Sequence, residues 1–292
     1  MALPKKVLVT GATGHVGSST YLVLAAQPGK YDVYALDRQR ELSARVPVRN
    51  QGLEIPDDKF YLCDLADAGA IRQAVKGMDM VVHLGADPGD DGSWESLLNN
   101  NVVGTYNVFE ACRDAGVARV VAASSIMVSQ GYWEQEPYKS IYDKQFSNVS
   151  ENYPMITPEM PAEPRGIYGA TKVWTESLAR IYAYTHGLSC ICIRIGQVER
   201  DRIRPPHGHA IFVSQRDIVQ IMECAINADE DLTNKVMGAA PKASSKETVR
   251  GNMGSPGAGL STGGSTMPNL DEEVPVLEVS DSDVEGDCEG CV

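Results

Sequence analysis

Residues 7–17 read VLVTGATGHVG and decide the fold class, because a buried strand, a glycine turn and a helix start follow one another there. The apolar run at 7–9 is typical of a strand that is covered on both faces of a parallel sheet. Gly11, Gly14 and Gly17 then permit a tight turn, a close approach of the backbone to a pyrophosphate, and close packing of helix on strand. The stretch therefore predicts a phosphate-binding turn, with a chance glycine-rich turn as the alternative.

The helix after this turn is predicted to begin near His15 and to end near Ala26. The first backbone N–H groups of a helix lack partners within it and carry the positive end of the helix dipole. We therefore expect the backbone at His15 and Val16 to face the phosphates of a bound nucleotide.

Composition and charge narrow the class of protein. The chain has 292 residues, of which 43% are hydrophobic, and this is enough for a large α/β domain with a small lobe. A net charge of −13 argues against sequence-independent binding to nucleic acid or to anionic lipid, since both require a cationic surface. No segment has the character of a membrane span or a signal peptide, so a soluble cytoplasmic protein is expected.

Strands and helices alternate up to about residue 230, which predicts a doubly wound parallel sheet. The second strand, 31–36, ends at Asp37. An acidic residue about 20 positions past the glycines holds the adenosine ribose in dinucleotide folds, and this favours NAD. Arg38 follows directly and is able to pair with a 2′-phosphate, so NADP stays open. The alternative for Asp37 is a residue that only caps a turn.

Two later strands also end in residues suited to a binding site. The strand at 80–84 runs into Gly85 and Ala86, whose small size lets the backbone approach a planar ligand. The strand at 119–123 ends in two serines. A helix is predicted over 93–115, and it carries Asn101, an amide that is disfavoured in a helix interior unless it has a partner. A helix-surface position is the alternative for Asn101.

The residues suited to chemistry are Ser125 and the segment 168–172, which reads YGATK. Tyr168 and Lys172 are four residues apart and project from the same face of a helix. A neighbouring ammonium lowers a tyrosine pKa from about 10, so that the phenolate can take a proton from a hydroxyl as hydride leaves the carbon. Ser125 lies at the carboxyl end of a strand and can hydrogen-bond the same oxygen. The spacing of Tyr168 and Lys172 also occurs by chance in many helices.

Together these residues resemble the short-chain dehydrogenase/reductase superfamily, and in particular its extended branch, the NAD-dependent epimerase/dehydratase family. The matching stretches are TGATGHVG at 10–17, LDR at 36–38, CDL at 63–65, HLGAD at 83–87, NNVVGTYNVFEAC at 100–112, ASS at 123–125, PEMPAEPRGIYGATK at 158–172 and IRIG at 193–196.

The resemblance implies a Rossmann fold, with NAD or NADP bound across the strand ends. It implies that Ser125, Tyr168 and Lys172 form a catalytic set, that Lys172 also holds the nicotinamide ribose, and that Asp37 holds the adenosine ribose. The cofactor-binding residues expected on this basis are Gly11, Gly14, His15, Val16, Gly17, Asp37, Arg38, Asp64, Leu65, Leu84, Gly85, Ala86, Asn101, Tyr168 and Lys172, and of these Asp64 and Leu65 are assigned to the adenine pocket.

The reaction is left more open than the family. Members include nucleotide-sugar epimerases and dehydratases, and dehydrogenases of free sugars such as uronate dehydrogenases. Ile126 and Met127 follow Ser125 where a dehydratase would place acidic residues, which disfavours dehydration. The expected substrate is thus a sugar or nucleotide sugar that is oxidised or epimerised. The alternative is a catalytically defective relative that binds a dinucleotide. The family also implies a homodimer formed through the helices that carry Asn101 and Tyr168.

The last part of the chain departs from the family. Its predicted folded domain is 1–232, with a truncated substrate lobe, and 233–292 is rich in Gly, Ser, Thr and Pro and predicts a disordered tail. This tail has four basic and ten acidic residues, a net charge of −6. Residues 274–283, VPVLEVSDSD, are able to add a strand to the sheet edge of a protein partner. A solvated acidic tail is the alternative.

Overall fold

A seven-stranded parallel sheet forms the centre of this protein in a computed structural model. The structure describes residues 3–46, 50, 52–89, 92–198 and 211–229, together with the backbone of Lys235–Ala239. All of these residues belong to one unit of the chain, Met1–Ser244.

Nine strands are present among the described residues, and the first six follow the predicted pattern. They are β1 (Lys5–Thr10), β2 (Tyr31–Asp37), β3 (Phe60–Leu62), β4 (Met80–His83), β5 (Arg119–Ser125), β6 (Ser189–Ile195), β7 (Gln197–Val198), β8 (Phe212–Val213) and β9 (Lys235–Ala239). The sheet has the order β3-β2-β1-β4-β5-β6-β9, and β7 pairs separately with β8. Successive strands are added on one side of β1 up to β3 and on the other side from β4 onward. This reversal of strand order between β1 and β4 is typical of a doubly wound Rossmann fold, and ligands of such sheets bind at that point. The predicted fold class is confirmed.

Helices cover both faces of the sheet. They are α1 (His15–Ala25), α2 (Ala68–Val75), α3 (Trp94–Ser96), α4 (Gly104–Ala115), α5 (Tyr138–Tyr142), α6 (Ile167–His186) and α7 (Gln215–Asn227), with 3-10 segments at Asp57–Lys59, Ile126–Glu134 and Phe146–Asn148 and a π-helix at Leu97–Val103. Apolar side chains of α1 and α7 pack in a core on one face of the sheet, and those of α2, α4 and α6 pack on the other. None of the helices in the described ranges has the length and apolar character that crossing a membrane requires.

The helix predicted over 93–115 is present over 94–115, but its geometry changes along its length. It consists of α3, the π-helix Leu97–Val103 and α4. Asparagines are poor in helix interiors because their amides compete for backbone partners, and three of them occupy 99–101. The wider π-turn also leads into Gly104, where a Cβ would lie only 2.6 Å from the Cβ of Leu65. The return from π to α geometry thus lies where the helix closely approaches the segment after β3.

The predicted boundary between domain and tail at residue 232 is also too early. β9 lies beyond it and pairs in parallel with β6, from Ile191 opposite Lys235 to Ile195 opposite Ala239. The five residues of β9, KVMGA, have no periodicity that distinguishes them from a loop, because a short parallel strand is stabilised mainly by its neighbour. The rest of the predicted tail, with the proposed partner-binding segment 274–283, lies outside the described residues.

Candidate active site

A cleft of about 780 Å³ opens at the carboxyl ends of the central strands. Its lining begins at the glycine turn after β1, continues past Asp37 and Gly85, and reaches Ser125 and Tyr168. The strand order reverses between β1 and β4, and the cleft lies at this switch point, where doubly wound sheets bind their ligands.

The glycine turn brings two pieces of backbone into direct contact. Gly11 has a φ of +70°, and a Cβ there would lie 2.7 Å from the Cα of Gly85. A Cβ on Gly17 would lie 2.0 Å from the carbonyl oxygen of Gly11. α1 then begins at His15; its N-cap residue is Gly14, which has no side chain to cap the helix, and its first turn contains no acidic residue. This helix start is suited to a phosphate group, because no side chain caps its first N–H groups and no acidic residue lies in its first turn.

Asp37 is held in place by the same turn. One carboxylate oxygen accepts hydrogen bonds from the backbone N–H of Thr13 at 3.0 Å and from its hydroxyl at 2.8 Å, and the other accepts from the N–H of Arg38 at 2.8 Å. The carboxylate at the end of β2 is therefore fixed relative to the glycine turn. Thr13 was not among the predicted site residues, although its position inside the glycine motif could have drawn attention to it.

A buried histidine joins the strands below the turn. Thr10 Oγ1 accepts from the N–H of Gly85 at 3.1 Å and lies 2.8 Å from Nδ1 of His83, while Nε2 of His83 lies 3.2 Å from Thr105 Oγ1. Burial, and next the charge of Lys172, lower the pKa of His83 to about 3. The imidazole is therefore neutral, and it connects β1, β4 and α4 as a hydrogen-bonding group.

Lys172 lies at the other end of the cleft and is almost completely buried, with 5% exposure. Its Nζ donates to the carbonyl oxygen of Ala123 at 3.1 Å and lies 5.7 Å from the ring centroid of Tyr168. Burial lowers the pKa of Lys172 to about 8. The amine therefore titrates close to neutral pH beside a half-buried phenol, which suits it to stabilising negative charge there.

Ser125 ends β5 and lines the same cleft. Its Oγ accepts a hydrogen bond from the N–H of Met127 at 3.2 Å, so the side chain caps the 3-10 helix that follows. Because a hydroxyl both accepts and donates, this contact leaves the Ser125 proton able to bind an oxygen in the cleft.

Most of the predicted cofactor residues lie together. The cleft is lined by Gly11, Gly14, His15, Val16, Gly17, Asp37, Arg38, Leu65, Leu84, Gly85, Ala86, Tyr168 and Lys172, and two predicted residues, Asp64 and Asn101, are absent from this lining. Asp64 is exposed, and its carboxylate accepts from the N–H of Ala66 at 2.8 Å, which turns the chain after β3. Its neighbour Cys63 lines the cleft instead.

Asn101 has a structural position behind the cleft. Its amide accepts from the N–H of Asp87 at 2.7 Å, donates to the carbonyl of Asp87 at 3.0 Å, and donates to Thr171 Oγ1 at 3.1 Å. Thr171 in turn donates to the carbonyl of Tyr168 at 2.7 Å. Asn101 therefore ties the segment after β4 to α6. The sequence indicated that this amide needs a partner, but it did not indicate which one.

Several lining residues were not predicted from the sequence. They are Thr13, Leu36, Gln39, Leu42, Ser43, Ala44, Arg45, Cys63, Asp87, Pro88, Asn100, Ala123, Ser124, Ile126, Met127, Ile195, Gly196, Gln197, Val198 and Ile211. Many directly follow a strand or belong to a matched stretch such as HLGAD or IRIG, and proximity to a strand end is the signal that could have found them. The residues at 42–45 neither follow a strand directly nor belong to a matched stretch, so no such signal marks them in the sequence. A hydrogen bond from the Ser43 N–H to the Thr13 carbonyl brings them to the cleft.

Comparisons with known proteins agree with this geometry. The model of the NAD dependent epimerase/dehydratase family matches residues 7–215. NAD-dependent glucose-6-phosphate dehydrogenase of Haloferax volcanii is 31% identical over 233 residues, which cover 78% of this chain and 83% of that protein. Uronate dehydrogenase of Agrobacterium fabrum is 31% identical over 227 residues, covering 77% and 72%.

A solved structure shows the same likeness in three dimensions. A mutant of uronate dehydrogenase from Agrobacterium tumefaciens complexed with NAD superimposes with a TM-score of 0.63 at 29% identity, covering 81% of this chain and 77% of that one. Together, the family match over most of the chain, the doubly wound sheet and the glycine turn beside Asp37 show that the chain belongs to the NAD-dependent epimerase/dehydratase family.

Proposed function

We propose that this protein is an NAD-dependent dehydrogenase that oxidises a hydroxyl group of a sugar. The observation that carries the proposal is a cleft lined at one end by the glycine turn and Asp37, and at the other by Ser125, Tyr168 and the buried Lys172. The first set is suited to a dinucleotide and the second to proton transfer, and they lie in one continuous space.

Tyr168 is the proposed proton acceptor. Its phenolate takes the proton of the substrate hydroxyl, and the Lys172 ammonium, 5.7 Å from the ring centroid, stabilises the phenolate. Ser125 donates a hydrogen bond to the same substrate oxygen and holds it toward Tyr168. NAD, when bound, accepts the hydride from the carbon that carries this oxygen. The residues therefore divide the work into proton removal, charge stabilisation and orientation.

The fit of a dinucleotide is supported by the tight glycine turn, in which the backbone at Gly11 packs against Gly85 and the backbone at Gly17 packs against the Gly11 carbonyl, so that neither position has room for a side chain. We propose NAD rather than NADP because Asp37 is fixed by Thr13 and the Arg38 N–H with its carboxylate in the cleft. A carboxylate there accepts hydrogen bonds from ribose hydroxyls and repels a 2′-phosphate. Arg38 and Arg45 also line this end, and a comparison of NAD with NADP tests their effect.

Oxidation is proposed over epimerisation because two relatives that are 31% identical have names that describe dehydrogenases of a sugar phosphate and of uronates. The two reactions differ in a measurable way. A dehydrogenase accumulates one NADH for each sugar oxidised, whereas an epimerase returns the hydride and accumulates none.

The test is a screen of the full chain with NAD against neutral aldoses, glucose 6-phosphate, uronic acids and UDP-sugars, with NADH absorbance and sugar analysis as readouts. Tyr168→Phe should lower kcat by roughly 10²- to 10⁴-fold, the range of general acid–base catalysis, and should still bind NAD. Tyr184→Phe on the same helix is the matched control, since Tyr184 is 78% exposed.

The outcomes separate the candidate functions. NADH formation with a free sugar supports the proposal, and interconversion of UDP-sugars without net NADH supports an epimerase. NAD binding with no turnover of any sugar supports the defective relative. Turnover that is unchanged in Tyr168→Phe contradicts the assigned role of Tyr168.

We also propose a homodimer formed through α4 and α6. Ile167, Trp174 and Ile181 recur every seven residues along α6 and are 58%, 37% and 51% exposed, and Tyr106 on α4 is 45% exposed. Such a stripe of apolar side chains is typical of a helix-pairing surface. Ile181→Glu should shift the protein from dimer to monomer in light scattering, and Val23→Glu, on the opposite face of the sheet, is the control.

A further inference from the structure

A buried polar cluster lies behind Ser125 and Lys172, and the proposed chemistry uses none of its side chains. One oxygen of the Glu176 carboxylate accepts from Ser124 Oγ at 2.6 Å and from Nε of Arg194 at 2.8 Å. The other accepts from a terminal guanidinium nitrogen of Arg194 at 2.9 Å. The side chains of Arg194 and Glu176 are only 7% and 10% exposed.

The cluster connects three elements at the point where the proposed catalytic side chains meet. Ser124 on β5 lies opposite Arg194 on β6 in the register of the sheet, and Glu176 projects onto this pair from α6. Ser124 directly precedes Ser125. Glu176 follows Lys172 by four residues, which is one turn along the same face of the helix.

Two polar contacts one turn apart therefore hold α6 on the end of β5. Lys172 Nζ bonds the carbonyl of Ala123, and the Glu176 carboxylate bonds the hydroxyl of Ser124. Apolar packing between a helix and a sheet holds the two together but has little directional preference, whereas charge-assisted hydrogen bonds determine how far the helix slides and how deeply it docks.

The N-terminal turn of α6 is close to its limit of approach. A Cβ on Gly169 would lie 2.7 Å from the carbonyl oxygen of Met127, two residues after Ser125. The distance from Tyr168 to Ser125 therefore depends on where α6 docks, and a misplacement of about 1 Å in an active site is able to cost 100-fold in rate.

We propose that Glu176, held by Arg194 and Ser124, is a positioning residue that sets the docking of α6 on β5 and thereby the separation of Tyr168 from Ser125. This inference rests on the proposed dehydrogenase function. It assigns to the ion pair a role in rate that is separate from stability.

A variant that tests this role must remove the hydrogen bonds of Glu176 without destabilising the fold. Removing one partner alone leaves a buried charge unpaired and destabilises the fold for that reason, so Glu176→Leu alone would be uninformative. Replacing both partners by apolar residues of similar size is often neutral or stabilising. The double variant Glu176→Leu with Arg194→Met therefore keeps the packing and removes the directional contacts.

The experiment measures kcat, KM, the dissociation constant of NAD, the unfolding temperature and the primary kinetic isotope effect, with a sugar that the unaltered chain oxidises. The isotope effect comes from the sugar deuterated at the oxidised carbon, and it does not depend on the fraction of folded protein. We expect the double variant to unfold at the same temperature as the unaltered chain or at a higher one, and its dissociation constant for NAD should stay within twofold. Its kcat should fall about tenfold or more, and its isotope effect should be larger.

A single hydroxyl gives a milder version of the test. Ser124→Ala removes the contact between β5 and Glu176 and leaves the ion pair, and it should lower kcat about fivefold at unchanged NAD affinity. Ser129→Ala is the matched control, because Ser129 is also buried and accepts from Arg194 at 3.3 Å but lies on the 3-10 helix after β5. It should keep kcat within twofold.

The outcomes distinguish this inference from the proposed function. If the unaltered chain and the double variant share the same kcat and isotope effect, the cluster is only structural and the inference is overturned. If the unaltered chain oxidises no sugar, the proposed function fails first and the inference fails with it.

Discussion

The two ends of the cleft are formed by different kinds of contact, backbone at one end and side chain at the other. At the glycine end, contacts are made largely by backbone, as where Gly11 meets Gly85, and most of the partners come from the short segments 11–17 and 36–45. At the Tyr168 end, contacts are made by side chains of β5, α6 and β6, and the central one, Lys172, is buried with its pKa lowered to about 8. A phosphate-binding site requires open space and backbone N–H groups, whereas a proton-transfer site requires a charged side chain that is shielded from water. Burial of the charged Lys172 therefore costs stability at the second end.

The largest difference between the ends should appear when Lys172 is replaced by Met. We expect kcat to fall by roughly 10²- to 10⁴-fold, because the phenolate of Tyr168 loses its stabilising charge. NAD affinity should change by less than about tenfold, because the phosphates and adenosine are held at the other end. Steady-state kinetics and a fluorescence titration with NAD measure the two quantities. Lys76→Met, at an exposed lysine, is the control.

The same substitution should stabilise the fold near neutral pH. The unfolded chain keeps the Lys172 proton up to about pH 10.5, while the folded chain releases it near pH 8, so the free energy of unfolding rises with pH between these values. Below pH 8 the shift corresponds to a cost of about 3 kcal/mol, and Lys172→Met should remove it. Urea unfolding without cofactor, at pH 7 and again close to pH 10.5, measures this. A gain for Lys172→Met of equal size at both pH values would contradict the explanation.

At the glycine end, the sensitive change is the addition of one carbon. Gly17→Ala places a Cβ 2.0 Å from the Gly11 carbonyl oxygen, so the turn must shift. The dissociation constant of NAD should rise roughly 10- to 100-fold, the equivalent of an overpacked site. Gly29→Ala is the matched control, since nothing lies within 4 Å of a Cβ at that position. If both variants bind NAD equally well, the turn does not hold the cofactor.

The smallest effect should come from the hydroxyl that orients Asp37. Thr13→Val removes one hydrogen bond to the carboxylate, worth about 1 kcal/mol, so NAD affinity should fall about fivefold while kcat stays within twofold. Thr20→Val, which removes a buried hydroxyl bonded to the Val16 carbonyl of the same helix, is the comparison. A loss of kcat in Thr13→Val would show that the two ends are coupled more tightly than their separate contacts indicate.

The sequence predicted the parts of the site that depend on local pattern. The glycine turn, Asp37 at the end of β2 and the pair Tyr168 and Lys172 were all placed in one cleft, because strand ends of a parallel sheet meet at one edge. Asp64 and Asn101 do not line the cleft; Asp64 turns a loop, Asn101 ties α6 to the segment after β4, and their part in cofactor binding stays a prediction. Both are polar residues near a strand end or a helix face, and from there a side chain can point either way.

What the sequence by itself determined is the order of strands and helices, the phosphate turn and the proposed proton-transfer pair, since each follows from residue types within a few positions of one another. The tertiary structure alone decided the π-helix at Leu97–Val103, the place of β9 beside β6, the partner of Asn101 and the contact of Glu176 with Arg194 and Ser124. These contacts join residues far apart in the chain. Their energies depend on burial and on distances of a few tenths of an ångström, which only the packed fold sets.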